Sequence, residues 1–373
     1  MAARNGGIKE PMNPSQPDPD LARLGFPVKV LGQEGIKACD ARRWQSEPHL
    51  SVTIGYLHDL FAYLQKHAIT MYRMSSDLAP YVTHPDMPQF HAQIADCDAE
   101  LKALGKTARE QGLRLSMHPS QYIVLNSPDP ALVEKSVRDL AAAADILDRM
   151  EMGPEAVLII HVGGTYGDPA SGCERWTHTY KNLLPEPVLR RLVLENDDIR
   201  YSAADVLSIH DDTGVPLVFD NLHFVCNNPE RLLMTETFHK FLRTWRAGVR
   251  PKMHFSSPNT AMREIRRKDK TTGKMGTVFQ QPIWTGHSDF LSPFEFAAFI
   301  RDAVAVEDTP RFDVMLEAKA KDLALLRLRR DLPRYAPDVA AVFGLRGDMG
   351  TSGEDETEYY EAEGEGSEGE GAA

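Results

Sequence analysis

Eight short apolar runs alternating with helical segments predict an α/β protein, a (β/α)8 TIM barrel with a metal site at the C-terminal face of its strands. Three observations carry this expectation. Several runs are nearly all apolar over four or five positions, as parallel strands covered on both faces must be. The 373 residues lie within the length range of the fold. Six consecutive runs each stop at a side chain able to ligate a metal.

The elements follow in order. A first strand is expected at "FPVKVLG" from Phe26 and a helix at 51–67. "ITMYRMSS" from Ile69 is the second strand, followed by helical periodicity over 89–111. "LRLSMH" from Leu113 leads to a helix at 130–150, and "AVLIIHVGG" from Ala156 is the fourth strand. "LRRLVLEN" from Leu189 precedes a helix at 202–212, and "VPLVFDN" from Val215 precedes one at 229–247. "VRPKMHFS" from Val249 is the seventh strand, a helix is expected at 293–306, and "PRFDVMLEA" from Pro310 closes the barrel. An open doubly wound sheet is the alternative, but it would more usually carry a glycine-rich loop after strand one, and "GFPVKVLG" is not GxGxxG.

The barrel domain is expected over 21–348. Residues 1–20, rich in Pro, Asn, Ser and Gly, read as a flexible arm. Residues 349–373 read as a disordered acidic tail; the stretch from Ser352 to Ala373 has nine acidic residues and no basic one. The formal net charge of -12 therefore falls to -3 for the rest of the chain, which does not argue against a nucleic-acid partner. No window approaches 18 uninterrupted apolar residues, so no membrane span is proposed. No signal peptide is read at the N-terminus, and four cysteines without CxxC spacing suit free thiols in a reducing compartment. An intracellular protein is expected: cytoplasmic or nucleoid-associated in a prokaryote, nuclear in a eukaryote. A monomer is expected.

The predicted ends of strands three to eight are His118, His161, Glu195, Asp220, His254 and Glu317. A lone histidine at a strand end is more often a hydrogen-bonded structural residue, and a lone acid there is often a helix cap. Six in succession, converging on one end of one barrel, point instead to a metal cluster. His84 in "APYVTHPD", His223 in "FDNLHF" and His287 in "TGHSDF" follow other strand ends and complete a set of nine. Nine ligands exceed the needs of one ion, so two or three divalent ions are expected, with Glu195, Asp220 and Glu317 able to bridge. A donor set of nitrogen and oxygen without thiolate suits Mn²⁺, Zn²⁺ or Fe²⁺. Clustered ions suit phosphoester hydrolysis, one activating water while another stabilises the leaving oxygen; a sugar isomerase could use them as well.

"YRMSSDLAPYVTHP", "SMHPSQY", "IIHVGGTYGD", "LVLENDD", "VFDNLHF", "PKMHFSSP", "HSDF" and "VMLEAKAKDLALLRL" occur in order from Ile69 to Leu328. Together they resemble the successive motifs of the UV damage endonuclease family, related in fold to endonuclease IV and xylose isomerase. The resemblance implies a DNA repair enzyme that nicks the duplex immediately 5′ to a UV photoproduct, leaving a 3′-hydroxyl and a 5′-phosphate. It implies up to three divalent ions, commonly manganese, on the same nine ligands. It also implies that Lys252, two residues before His254 and on the same strand face, can be carboxylated to an anion beside the ions. Glu195, Lys252 and Glu317 are the catalytic residues expected. Gln121 and Tyr122 are implied to enter the space opened when the damaged dinucleotide turns out of the duplex; a tyrosine ring can stack on unstacked bases and an amide can bond orphaned ones. The match is weaker before about residue 68, where Phe26 stands in place of an expected tyrosine, and lesion range, including abasic sites, is left open.

Damaged double-stranded DNA as partner also calls for cations. "REIRRKDKTTGK", Arg263 to Lys274, has six basic and two acidic residues in the long connection after strand seven. Arg263, Arg266, Arg267 and Lys268 are the expected phosphate contacts. Two other readings compete: a divalent-metal sugar isomerase or epimerase on the same barrel, and a catalytically dead damage-binding scaffold. The isomerase would want a compact polyol pocket without a wedge or a basic loop.

Overall fold

The computed structural model describes residues 21–120 and 122–346. The N-terminal arm, Gln121 and the acidic tail lie outside the described residues. Eight parallel strands close into a barrel: β1 (Leu24–Pro27), β2 (Met71–Met74), β3 (Arg114–Met117), β4 (Val157–Ile160), β5 (Leu192–Glu195), β6 (Leu217–Asp220), β7 (Lys252–Phe255) and β10 (Asp313–Leu316). Two further strands, β8 (Arg263–Lys268) and β9 (Met275–Gln280), form an antiparallel hairpin of their own between β7 and β10. None of the helices among the described residues is long and apolar enough to cross a membrane.

Every barrel strand is four residues long, so alternation decides what each contributes. Leu158 and Ile160 of β4, Leu194 of β5, Phe219 of β6 and Met253 and Phe255 of β7 join the main core beneath the helices. Their neighbours Val157, Ile159, Val193 and Val218 form a second small core with Trp245. The period of two carries this inner row upward to Glu195, Asp220 and His254. Cα pairing sets Asp220 level with His254, and His254 level with Met315.

Local sequence starts the outer helices cleanly. Helices Pro130–Arg149, Pro169–Asn182 and Pro293–Val304 each place Pro at the first turn behind Asp129, Asp168 or Ser292, whose side chain accepts a backbone N–H. Ser202 and Asp205 form a reciprocal capping box at Ala203–Thr213. Gly105 of helix Asp98–Glu110 lies against the Met150 backbone, where an added Cβ would sit 1.8 Å from the carbonyl oxygen.

The structure corrects several boundaries. The first strand begins at Leu24 rather than Phe26 and stops at Pro27, because Val28 turns to a φ of 65°, a region a β-branched residue rarely occupies. The helix expected over 89–111 is split at Cys97 into Gln93–Asp96 and Asp98–Glu110. That expected over 229–247 is confined to Met234–Arg243. The charged stretch after strand seven is an ordered hairpin rather than a loop. The barrel interior is also less apolar than expected. Arg114 on β3 and Asp313 on β10, 3% and 0% exposed, pair at 2.7 Å, and Arg23 and Arg250 close on the same carboxylate at 3.2 Å each.

Candidate metal centre

Eight of the nine expected ligands converge at the C-terminal mouth of the barrel. Glu195, 1% exposed, is the hub. His118 Nε2 lies 3.0 Å from its Oε2 and His254 Nδ1 lies 2.8 Å from its Oε1. His161 and His223 approach the same carboxylate at 3.7 and 3.5 Å. Glu317 stands 3.2 Å from His254 Nδ1 and 3.8 Å from His287 Nδ1. Three groupings have donor atoms within 4.8 Å of one another: His118–His161–Glu195, Glu195–Asp220–His223 and Asp220–His254–Glu317. Glu195 and Asp220 each belong to two of them, as bridging carboxylates would. His84 keeps to its own loop: its Nδ1 accepts from the Asp86 N–H at 3.2 Å and its carbonyl meets His91 Nε2 at 2.7 Å.

The cluster's charges are set by one another. Burial pushes the Glu195 carboxyl up, but His254, His161 and His118 outweigh it and hold it well below the usual carboxylate range. Glu317 is also depressed: burial opposes ionisation, and the guanidinium of Arg73 and the His254 ring prevail. Asp220 goes the other way, raised by burial and by the neighbouring Glu195 and Glu317 charges. Burial lowers His118 despite its bond to Glu195. His223 is pushed up to about 9; burial resists, but Asp220 and Glu195 dominate. Three carboxylates crowd one buried space and raise both the Asp220 carboxyl and the His223 imidazole, which marks a site short of positive charge.

The donor atoms fit a divalent cation. His161 Nδ1, Asp220 Oδ2 and His254 Nε2 are buried without a hydrogen-bond partner. An unmet buried polar atom costs about 1–3 kcal/mol, so three within one cluster are a liability unless a cation satisfies them. Such a mixed imidazole and carboxylate set without thiolate is able to hold metal ions of the Mn²⁺, Zn²⁺ or Fe²⁺ type.

Four residues that sequence reasoning passed over hold the centre in shape. Arg73 of β2 forms an ion pair with Glu317. Asn196 donates to the Asp220 carbonyl at 3.1 Å and accepts from the Asp220 N–H at 2.9 Å. Asn221 makes the same reciprocal bonds to Ser256, at 3.3 and 2.9 Å. Both asparagines directly follow an acidic ligand, in "LEND" and "FDNL", and that recurrence was the available signal. Ser116 accepts from Lys252 Nζ at 2.9 Å. Lys252 is 1% exposed, and burial together with Arg114 and Arg73 drives its ammonium well below the ordinary lysine range.

A cavity of about 630 Å³ opens above the cluster, reached by Arg73, His118, His161, Arg200, His223 and Glu317. Tyr122, four residues beyond His118, falls in sequence between the lining residues Ser120 and Ile123 and is 73% exposed. The basic residues Arg263, Arg266, Arg267 and Lys268 form strand β8 of the hairpin and are all exposed. The hairpin's base is tied to the centre: Asn259 N–H donates to the Gly286 carbonyl at 2.7 Å, and Pro258 bridges to His287, one of the expected ligands.

Comparison with known proteins agrees with this geometry. The sequence profile described as "UV-endonuclease UvdE" matches residues 48–344. The UV DNA damage endonuclease of Bacillus velezensis is 32% identical over 294 residues, covering 79% of this chain and 83% of the relative. That of Bacillus pumilus is 33% identical over 267 residues, covering 71% and 76%. The crystal structure of SacUVDE superposes with a TM-score of 0.69 at 28% identity, covering 84% of this chain and 98% of that one. With its barrel, its ligand cluster and a profile match over most of its length, the chain belongs to the UV-endonuclease UvdE family.

Proposed function

We propose that this protein is a metal-dependent endonuclease that binds UV-damaged duplex DNA and hydrolyses the phosphodiester immediately 5′ to the lesion, leaving a 3′-hydroxyl and a 5′-phosphate. Family membership supports the coarser statement, a DNA repair endonuclease, directly. The observation that supports metal dependence is the chain of three groupings sharing Glu195 and Asp220 beside an open cavity; the position of the cut and its end groups follow from the family resemblance. Divalent ions bound there, Mn²⁺ in this reading, would supply water activation and neutralisation of charge on the scissile phosphate.

The chain's own residues do the rest. Glu195, Asp220 and Glu317 supply the anionic donors, and the imidazoles of His118, His161, His223, His254 and His287 complete the set. Asn196 and Asn221 lock the ends of β5, β6 and β7 so that their ligands keep register. Lys252, buried and driven toward its neutral amine, is suited to react with CO₂. The new N–C bond would replace one N–H, whose proton leaves to solvent, and the carbamate would add an anion beside the cluster. Tyr122, free in solvent, offers an aromatic face to bases unstacked at the lesion, with Gln121 beside it in sequence. A photoproduct is already poorly stacked, so opening it costs less than opening intact DNA, which gives selectivity without reading sequence. A sugar isomerase has no use for a solvent-exposed tyrosine next to a cavity-lining loop or for a hairpin of exposed cations.

Incubation of labelled UV-irradiated and intact duplex with the protein and Mn²⁺, with and without chelator, tests the reading. Nicking of irradiated duplex alone, abolished by chelator, is expected. Equal cleavage of both duplexes, or cleavage that survives the chelator, sinks it.

A further inference from the structure

The β8–β9 hairpin carries more than basic charge. Its register pairs Glu264 with Phe279, Arg266 with Thr277 and Lys268 with Met275, so these six side chains share one face. The other face holds Ile265, half-buried, and Arg263, whose guanidinium reaches Asp289 at 3.9 Å. That face leans toward the body, and the first faces outward. On it Phe279, 63% exposed, stands opposite Glu264, and Met275, 55% exposed, stands opposite Lys268, with Arg266 and Thr277 as the pair between them. Apolar side chains held out in water on an isolated two-stranded ribbon are a marginal arrangement that a partner would relieve.

Resting on the repair-endonuclease reading above, we propose that this outward face is a second duplex contact. In it Phe279 and Met275 pack against base edges in the major groove while Arg266 and Lys268 engage the flanking phosphates. Charge complementarity selects the occupant. The segment Arg263–Gln280 has six basic and two acidic residues on a chain of net charge -12. A two-stranded ribbon matches the roughly 12 Å width of the major groove. Six paired residues span about 20 Å from a base anchored at His287. At about 3.4 Å per base pair that reach meets undamaged DNA some six base pairs from the scissile bond. The hairpin would then hold the enzyme on the flank while Tyr122 probes the lesion.

The test uses the full chain and two lesion duplexes, one with long flanks and one with a single flank cut to about three base pairs, each side in turn. On long flanks, Phe279→Ser with Met275→Ser is expected to raise KM about 10-fold with kcat little changed, the size of one lost base–aromatic contact. Phe279→Trp should restore KM. On the duplex shortened on the engaged side, wild type and double variant should be equal. Arg266→Ala with Lys268→Ala should reduce the salt slope of binding by about 1.8. Wild-type KM in the double variant on long flanks overturns the inference; so does an equal loss on every duplex, which would mean that the hairpin only supports His287. Anisotropy binding to intact long duplex separates the two readings. A 10-fold loss there sustains the hairpin contact even if the wild type nicks nothing, whereas lesion nicking with unaltered binding removes the hairpin contact alone.

Discussion

Replacing Glu195 by Gln keeps the shape of the hub and removes its charge. The side chain is 1% exposed and belongs to two of the three groupings, so the loss would reach both. Changing a residue that merely supports a ligand typically costs 10–100-fold in metal affinity, and a ligand itself should cost at least the upper figure. At an ion concentration about 1,000 times the dissociation constant, binding adds about 4 kcal/mol to stability. A 100-fold loss leaves about 1.4 kcal/mol at the same concentration, a deficit of about 2.7 kcal/mol. Unfolding entropy near 2.1 cal/mol/K per residue over the 325 described residues amounts to about 0.7 kcal/mol/K. The Mn²⁺-induced rise in Tm should therefore be smaller by about 4 °C in the variant. Thermal unfolding with Mn²⁺ and with chelator measures that rise within each protein, so any change in metal-free stability cancels. Nicking of irradiated duplex should fall at least about 100-fold. An undiminished rise in Tm, or retained nicking, would refute Glu195 as the shared ligand.

Other perturbations read different parts of the molecule. Asp313→Ala removes the partner of Arg114, 1% exposed at its side chain, and should destabilise the fold by about 3–5 kcal/mol in denaturant titration. Despite burial, Arg114 and Arg23 hold the Asp313 carboxyl below its ordinary value. Its stabilisation is therefore full above the unfolded carboxylate pKa near 4 and is lost as pH falls below it. Asp313→Asn should flatten that acid limb, and an unchanged limb would contradict the assignment. Tyr122→Ser should leave Tm within about 1 °C, since the side chain is largely in solvent, yet reduce discrimination between irradiated and intact duplex about 10-fold. Equal discrimination would remove its probing role. Depleting CO₂ should lower nicking, bicarbonate should restore it, and Lys252→Arg should show neither response; bicarbonate-independent activity in the wild type would dismiss carboxylation.

Much of the candidate centre was legible because a polar side chain at the end of a buried apolar strand is held at the barrel mouth. "VLIIH", "LVLE" and "LVFD" announce this directly, and the period of two turns their last residues inward. Lys252 and His254 share the inward face of β7 by the same period of two, although Lys252 opens that strand. Arg73 and Arg114 were not legible, since a charge inside a four-residue strand reads as a break until its buried partner across the barrel is known. The hairpin was hidden for a different reason. All of its residues but the half-buried Ile265 are exposed, so no alternation of apolar and polar residues marks its strands, and its charges suggest a loop. His84 shows the limit of reading ligands from loops: a strand end fixes a side chain's direction, whereas the path of "APYVTHPD" is set by turns around a left-handed Tyr81.

The most direct measurement uses an end-labelled duplex with one thymine photoproduct at a defined position, resolved to single nucleotides in Mn²⁺ and in chelator. The account predicts one cut, at the phosphodiester 5′ to the lesion, with a 3′-hydroxyl that a polymerase can extend, and none in chelator or with Glu195→Gln. A cut at any other position, a 3′-phosphate end, or the same band from undamaged duplex would contradict it.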